Sequence, residues 1–345
     1  MRDAAGRQEA GGSTNVTNLA AGGSVNAEVS LSTASAGTFG GTLDVAFTSN
    51  GTLSGLASTA LPGQSVAVSG KVYAQAVANV DTTTIDFGIV HRGDVIALRN
   101  VAVANDATGA LTDVLQASLT ADSAFAGSGG TLGAGLAAGA SDTGSLNVAL
   151  DTSAAGVFNG TATVALTSHN ADMADLSLAP ALIALTAQVN EFANPVFAKT
   201  GGDGAFDVAG DSFTLDFGTV AQNSGSLTAL LALTNDITGP ADDLRFEFSG
   251  AGTNFTLNGF GAATLAAGDS QNLSVVLDTL LAGTFQDVFT LSLFSSNASG
   301  FDQQIASYSV TLKGTVTPAV VPVPGAVWML GSALAGLVGV RRRRK

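Results

Sequence analysis

Two Asp-Phe-Gly tripeptides, Asp86–Gly88 and Asp216–Gly218, are the parts of this sequence that most closely match a catalytic motif. In protein kinases the aspartate of such a tripeptide binds magnesium, but the reaction also needs a glycine-rich loop, a strand lysine and a catalytic-loop aspartate in fixed order. None of these accompanies either tripeptide. We therefore predict a structural role, in which Phe87 and Phe217 fill a core and the glycine allows a turn at the start of a strand.

Two further short motifs suggest binding rather than catalysis. Arg92–Asp94 reads Arg-Gly-Asp, a tripeptide that mediates adhesion in other settings, but the matching position later in the chain is Gln222–Ser224. Because Gly and Asp are common in turns, we interpret Arg92–Asp94 as a turn. Gly201–Asp207 resembles a calcium-binding β-roll nonapeptide, yet it occurs once, and such rolls need stacked copies. We predict a linker there, with a loosely bound cation as the alternative.

Residues for acid–base or nucleophilic catalysis are scarce. The chain has no cysteine and only two histidines, His91 and His169, which we predict to be solvated in loops. No Gly-x-Ser-x-Gly nucleophile motif is present. A glycosidase-type hydrolase would need a carboxylate pair, but the glutamates are scattered without a shared motif: Glu9, Glu28, Glu191 and Glu247. We predict that the protein is not an enzyme and has no catalytic residue, cofactor or metal site.

The charge is distributed very unevenly along the 345 residues. The net charge is −14, yet the last five residues, Arg341–Lys345, are all basic, out of 13 basic residues in the chain. An acidic surface repels phosphate backbones, so we expect no nucleic-acid partner. The content of 46% hydrophobic and 12% charged residues, with 43 glycines, favours short strands joined by glycine turns over long surface helices.

Three segments of the chain share the same landmarks. A Leu-Ala-Ala-Gly tetrapeptide begins at residues 19, 136 and 265, and a Gly-x-Phe tripeptide follows at residues 37, 156 and 283. Each segment closes on a strand of alternating apolar residues. A repeat is about 115–130 residues long, which suits a whole β-sandwich. We predict an all-β fold of tandem immunoglobulin-like β-sandwiches, partial at residues 1–78 and complete at residues 79–195 and 196–316.

The first repeat lacks the half that contains the Asp-Phe-Gly strand in the other two. The first 15 residues are charged and glycine-rich, unlike a secretory signal peptide. We therefore expect upstream DNA to encode a signal peptide and the missing strands.

The repeats also resemble a known family. Asp86–Val90 and Asp216–Val220 both read Asp-Phe-Gly-x-Val, and each is followed by a strand and then by Asn-Asp-x-x-Gly at Asn105–Gly109 and Asn235–Gly239. This arrangement is similar to the immunoglobulin-like "choice-of-anchor D" domains, relatives of the ASH-type sandwiches. The resemblance covers residues 80–316 and implies a domain that stands beside an interchangeable C-terminal anchor.

The C-terminal segment, residues 317–345, is typical of a membrane-sorting tail. Residues 319–340 carry no charge and are almost wholly apolar. Pro322 and Pro324 keep the first part extended, and a helix can follow from Gly325 to Val340. Sixteen helical residues span about 24 Å, less than the ~30 Å hydrocarbon core, so a span would need snorkelling side chains or local thinning. We predict a single C-terminal transmembrane helix with Arg341, Arg342, Arg343, Arg344 and Lys345 in the cytoplasm; a buried core helix is the alternative.

This tail resembles the PEP-CTERM class of sorting signals, in its VPLPA-type variant. The motif residues are Val321, Pro322, Val323, Pro324 and Gly325, and the sequence departs from the variant at Val323 and Gly325. The resemblance implies processing by an exosortase, a membrane-embedded enzyme, in a Gram-negative bacterium. It also implies passage through the inner membrane to the cell surface or extracellular matrix.

Together these features favour an exported structural or interaction protein, with an envelope or matrix polymer as a possible partner. The first alternative is a surface binding module for polysaccharide or a protein partner. One tryptophan and two tyrosines are few for a sugar-binding surface. The second, less favoured alternative is a carboxylate-based hydrolase.

Overall fold

A computed structural model describes residues 15–250, 252–319 and 325–342. Alternating Val, Leu, Ile and Phe residues form its strands, and glycine-rich turns separate them. The strands are β1 (Gly37–Ser49), β2 (Thr59–Val72), β3 (Ala78–Asn79), β4 (Thr84–His91), β5 (Arg99–Asn105), β6 (Val114–Ala121), β7 (Ser141–Val148), β8 (Gly156–His169), β9 (Leu176–Ser177), β10 (Ala181–Asn190), β11 (Pro195–Gly202), β12 (Ala205–Ala209), β13 (Ser212–Ala221), β14 (Leu227–Asn235), β15 (Asp243–Ser249), β16 (Thr256–Asn258), β17 (Ala263–Leu265), β18 (Ser270–Leu277), β19 (Gly283–Ser296) and β20 (Asp302–Thr317). The helix α1 spans Gly325–Arg342.

The chain divides into two compact units. The first comprises Met1–Gly88 and Gly93–Ala187, and the second comprises Ile89–Arg92 and Gln188–Lys345. The end of β4 therefore belongs to the second unit. The predicted boundaries at residues 78, 195 and 316 remain predictions.

The first unit contains a sandwich of two sheets, which we call the first sandwich. One sheet has the order β4-β10-β8-β6, with β9 beside β8, and the other has the order β3-β5-β7. Side chains from both sheets share one core, because alternate residues of each strand point to the same face. The largest buried members are Leu115, Phe125, Leu146, Ile183 and Leu185.

The second unit contains the second sandwich, which follows the same plan. Its sheets have the orders β11-β14-β18-β16 and β12-β13-β20-β19-β15-β17. Strand β13 runs parallel to β20, with Leu215 opposite Leu312. Its core draws on both sheets and includes Leu231, Leu244, Phe246, Leu277 and Leu291. The order β4-β10-β8-β6 thus recurs as β13-β20-β19-β15, and β3-β5-β7 recurs as β11-β14-β18. The all-β prediction is confirmed.

The landmarks of the first repeat form an N-terminal hairpin, β1–β2, in a two-stranded sheet. Its register places Phe39 opposite Gly70 and Leu43 opposite Val66. By the Gly-x-Phe landmark, this hairpin corresponds to β8–β10 in the first sandwich and to β19–β20 in the second.

The two Asp-Phe-Gly tripeptides lie inside strands rather than at their starts. The carboxylates of Asp86 and Asp216 accept the backbone N–H of Gly88 and Gly218 at 2.9 and 2.8 Å. Both glycines have φ of 70°, a conformation that disfavours a Cβ. The pairing of β13 with β20 shifts register between Asp216 and Thr219. The expected burial of both phenylalanines is present, but each glycine lies within its strand and not at a turn before it, and Gly218 lies within the register shift of β13.

Candidate functional site

The predicted sorting residues are only partly within the described chain. Val321, Pro322, Val323 and Pro324 lie outside the described residues, as do Arg343, Arg344 and Lys345. Gly325 is the first residue of α1, and Arg341 and Arg342 are its last two. The helix therefore begins where the sequence predicts and extends two residues beyond Val340.

Helix α1 exposes apolar side chains. Val327, Met329, Leu330 and Leu334 are all more than half exposed. Across the described ranges, no helix meets the length and hydropathy expected of a membrane span. The structure therefore does not support the predicted transmembrane helix, although the helix itself forms. The alternative of a buried core helix does not fit these exposed side chains.

A buried carboxylate, Asp242, is the centre of a polar cluster in the second unit. Its Oδ1 accepts hydrogen bonds from Asn190 Nδ2 at 2.9 Å and from Asn297 Nδ2 at 2.8 Å. Its Oδ2 accepts the hydroxyl of Ser295 at 2.9 Å and lies 2.8 Å from His91 Nε2. We call these five residues the Asp242 cluster. Both oxygens of this fully buried carboxylate are satisfied, as burial of an ionised group requires.

The protonation of Asp242 reflects two opposing effects. Burial raises the pKa of the carboxyl, because it disfavours the charged form. Hydrogen bonds from Asn190, Asn297, His91 and Ser295 favour the charged form and outweigh burial, so the pKa lies below its ordinary value. The cluster therefore holds an ionised aspartate inside the sandwich.

The Asp242 cluster is not arranged for nucleophilic catalysis. In a hydrolytic triad the serine donates its proton to the histidine, whereas Ser295 donates to Asp242 and accepts the backbone N–H of Ala193. Every polar member is buried or partly buried. Instead, the hydrogen bonds of Ser295 connect the segment before β11 to the end of β19.

His91 is placed differently from the prediction. It is 5% exposed, and its ring stacks on Phe192 with centroids 4.2 Å apart and lies 4.3 Å from the ring of Phe301. The prediction of a solvated loop residue is wrong for His91, because its ring contacts two aromatic rings and Asp242 instead of water. His169 is the last residue of β8, and its Nδ1 lies 2.6 Å from Asp175.

The first sandwich has an equivalent cluster around Asp113. Ser168 donates its hydroxyl to Asp113 Oδ2 at 2.7 Å, and Asn170 Nδ2 lies 2.5 Å from Oδ1. Ser168 also accepts the backbone N–H of Ala76, as Ser295 does that of Ala193. The pattern Ser-x-Asn at the end of the long strand is the sequence signal for this cluster. Ser-x-Asn follows the Gly-x-Phe landmark at the end of the same strand in both sandwiches, but the partner aspartate could not be identified without the fold.

Two buried asparagines also repeat. Asn105 Nδ2 donates to the backbone oxygens of Asp113 and Leu136 at 3.2 and 3.0 Å. Asn235 Nδ2 donates to those of Asp242 and Leu265 at 3.0 and 3.2 Å. The recurring Asn-Asp-x-x-Gly landmark therefore marks a side chain that holds two loops together.

The motifs that suggested binding have structural partners. Arg92 of the Arg-Gly-Asp tripeptide pairs with Glu191 at 2.8 Å, and Gly93 has φ of 85°. Asp203, in the glycine-rich Gly201–Asp207 segment, accepts the backbone N–H of Thr228 at 2.8 Å. Within the described part of the chain, no group of three or more His, Cys, Asp or Glu side chains could hold a metal ion. Gly201 and Gly202 end β11, and Ala205–Asp207 begin β12, which lies in the other sheet. The segment predicted as a linker is therefore mostly strand, and it crosses from one sheet to the other through Asp203 and Gly204.

Comparisons with known proteins give distant structural likenesses only. No protein-family model matches this chain, and no curated protein matches it either. CfaE, the adhesive subunit of the CFA/I fimbria of enterotoxigenic Escherichia coli, is 10% identical over 69% of this chain and 99% of its own, with a TM-score of 0.33. The ASH/PapD-like domain of human CEP192 is 11% identical over 33% of this chain and 86% of its own, with a TM-score of 0.25. AggA, the major subunit of aggregative adherence fimbriae type I from Escherichia coli, is 13% identical over 37% of this chain and 98% of its own, also with a TM-score of 0.25. Values this low transfer no property of those proteins to this chain.

Proposed function

We propose that this chain is an exported bacterial surface or extracellular-matrix protein of structural or interaction type, sorted through its C-terminal segment. The observation that carries the proposal is the pair of sandwiches built on one plan, followed by a helix with exposed apolar side chains. The acidic clusters at Asp113 and Asp242 are satisfied internally and stabilise the sandwiches. In this proposal the polar groups of both clusters serve the scaffold.

In this proposal three parts of the tail have different roles in sorting. The apolar residues of α1 would enter the inner membrane, with help from flanking side chains because the helix is short. The basic cluster would stay in the cytoplasm, since moving one arginine to the bilayer centre costs about 2.5 kcal/mol or more on insertion scales. Pro322 and Pro324 would keep the preceding segment extended for an exosortase-type enzyme. In this proposal the host is Gram-negative and the processed protein reaches the cell surface or matrix.

The sorting proposal is tested with tagged full-length protein in a host that carries the processing enzyme. We expect Pro322→Ala combined with Pro324→Ala to leave the protein inserted but unprocessed, as judged by apparent mass and fractionation. Pro318→Ala is the matched control, because it removes a proline outside the motif. If the double variant is trimmed and released like the parent, the sorting proposal is wrong.

Neutral residues in place of Arg341–Lys345 test the orientation separately. We expect impaired retention and a mixed orientation, because the positive charges no longer hold the end in the cytoplasm. Protease protection of the C-terminal tag in intact cells measures this directly. Unchanged protection would contradict the orientation part of the proposal.

The alternative of a binding module for a protein partner is favoured by one observation. The N-terminal hairpin exposes apolar side chains that its counterparts in both sandwiches bury. A polysaccharide partner has less support, because Tyr73 and Tyr308 are the only tyrosines and the tryptophan lies in the tail.

A further inference from the structure

One edge of the second sandwich carries an insertion that the first sandwich lacks. Ala76 and Phe87 are 11 positions apart in the sequence, whereas their counterparts, Ala193 and Phe217, are 24 positions apart. The additional residues extend β11 well beyond the length of β3 and add β12. Because the two sandwiches otherwise share one plan, a role specific to the second sandwich is best sought in this insertion.

The insertion forms an open pocket of ≈ 560 Å³, which we call the β11–β12 pocket. Strand β11 is an edge of the four-stranded sheet, and β12 is an edge of the six-stranded sheet. All of the lining residues lie between Phe197 and Val208, within the inserted segment. Pockets that bind small molecules measure about 300–1,000 Å³, so the β11–β12 pocket has the size for such a ligand.

Apolar side chains form both walls of the pocket. Phe197 of β11 pairs with the buried Leu233, and Phe206 of β12 pairs with the buried Leu215, so both rings point into the sandwich. The two rings meet edge to face with centroids 5.8 Å apart. Val208 lies on the same face of β12 as Phe206, yet it is 59% exposed. An inward apolar side chain with this exposure is surface that the described chain leaves uncovered.

Lys199 is the one charged residue that lines the pocket. It lies on the inner face of β11, opposite the buried Leu231. Its Nζ donates to the backbone oxygen of Gly202 at 2.7 Å, and no carboxylate of the described residues lies within 4.0 Å of it. An ammonium group has three N–H donors, so two of them can reach another acceptor. The pocket therefore combines apolar walls with one positive charge.

We propose that the β11–β12 pocket binds a small amphiphile with one carboxylate and an apolar body. The carboxylate accepts hydrogen bonds from Lys199 Nζ, and the apolar body lies against Phe206 and Val208, where its burial drives binding. A single lysine balances a single negative charge, which favours a carboxylate over a doubly charged phosphate. This inference goes beyond the surface role proposed above and does not depend on how the chain is sorted.

Isothermal titration calorimetry of the full chain with octanoate tests the proposal. The matched control probe is n-octylammonium, which has the same tail and the opposite charge. We expect saturable binding of octanoate and at least about tenfold weaker binding of n-octylammonium, because like charges repel at Lys199. The net charge of −14 attracts the cation, so binding without a site would give the reverse order. Absence of saturable octanoate binding, or equal or tighter binding of n-octylammonium, would overturn the proposal.

Two lysine variants test the role of the charge. Lys199→Met keeps an unbranched side chain and removes the ammonium, and we expect at least about tenfold weaker octanoate binding. Lys313→Met is the matched control, because Lys313 pairs with Asp216 at 3.2 Å and does not line the pocket. Equal effects of the two variants would overturn the proposal. So would a Lys199→Met chain that self-associates and binds octanoate like the parent, since the lysine would then only keep edge strand β11 from pairing with another chain.

Two further variants locate the site on β12. Val208→Asp places a negative charge on the pocket wall, whereas Ala209→Asp places the same charge on the opposite face of the strand. Both side chains are exposed, so neither substitution disturbs the core. We expect Val208→Asp to weaken octanoate binding at least about tenfold and Ala209→Asp to change it less than about twofold. Similar losses in the two variants would show that octanoate binds elsewhere.

Discussion

The N-terminal hairpin β1–β2 and the hairpin β19–β20 share one residue pattern and differ in what covers it. Leu43, Val45 and Phe47 of β1 occupy the places of Phe289, Leu291 and Leu293 of β19. In the second sandwich an opposing sheet buries the three residues almost completely. In the N-terminal hairpin Leu31 packs beside Gly70 on this face, and Phe47 stays exposed. An alternating strand thus specifies which face is apolar, but the partner sheet decides how much stability that face contributes.

The same contrast holds for the polar end of the strand. Ser295 donates to the buried Asp242, and Ser168 donates to the buried Asp113. The equivalent residue of the N-terminal hairpin, Ser49, is exposed. A side chain at the same repeat position is therefore either a buried hydrogen-bond donor or a surface residue, according to whether the sandwich around it is complete.

The largest expected difference concerns one matched core position. Leu293→Ala should lower the free energy of unfolding of the second sandwich by about 2–5 kcal/mol, because it leaves a cavity in a packed core. Phe47→Ala, at the matching place in the hairpin, should cost only about 1–2 kcal/mol because the side chain is already 41% exposed. Native-state hydrogen exchange, resolved by peptide, measures both within the full chain. Similar costs at the two positions would mean that the hairpin face is covered in solution.

The next comparison is between the two buried aspartates. Asp242→Asn keeps the shape but turns an acceptor into a donor, and each buried donor left without a partner costs about 1–3 kcal/mol. Asp113→Asn should destabilise its sandwich less, because two side-chain donors point at Asp113 and four polar side chains surround Asp242. Urea denaturation monitored by hydrogen exchange reports the stability of each sandwich separately.

Asp302→Asn serves as the surface control for both aspartates. Asp302 pairs with Arg245 at 3.0 Å on a partly exposed surface, and such pairs contribute about 0–1 kcal/mol. If Asp242→Asn were no more destabilising than Asp302→Asn, the Asp242 cluster would not stabilise the sandwich.

A smaller effect is expected at the glycines of the two Asp-Phe-Gly tripeptides. Gly218→Ala and Gly88→Ala should each cost about 1–2 kcal/mol, because both residues have a left-handed conformation that a Cβ disfavours. Nothing lies within 4 Å of either added Cβ, so backbone strain alone causes the loss. Gly41→Ala is the control in the hairpin, since its added Cβ also meets nothing within 4 Å and its φ is not positive. Thermal denaturation of the three variants should rank Gly41→Ala as the least destabilising.

The sequence was informative wherever local patterns determine structure. The alternating strands, the repeated plan and the burial of Phe87 and Phe217 could all be predicted, because apolar period and repetition are visible along the chain. The Asp242 cluster could not be predicted, because Asn190, Asp242 and Ser295 meet only after distant strands pair. His91 illustrates the limit well: it is 151 positions from Asp242 in sequence, and only the fold supplies the contact that buries it.

The last prediction concerns stability at low pH. It distinguishes what the charge of Asp242 contributes from what the shape of its side chain contributes. The folded pKa of Asp242 lies below its ordinary value, because hydrogen bonds from Asn190, Asn297, His91 and Ser295 outweigh burial. The resulting stability is fully present above the unfolded-state pKa of about 3.9, and it is lost as the pH falls through the lower folded pKa. The second sandwich should therefore lose stability below about pH 4.

Asp242→Asn removes this titration, so the stability of the variant, although lower at neutral pH, should fall less steeply as the pH is lowered. Urea midpoints are measured from pH 6 down to about pH 2.5 for the parent, Asp242→Asn and the Asp302→Asn control. They give the slope of stability against pH for each protein. Parallel slopes for the parent and Asp242→Asn would show that the buried carboxylate contributes through its shape alone.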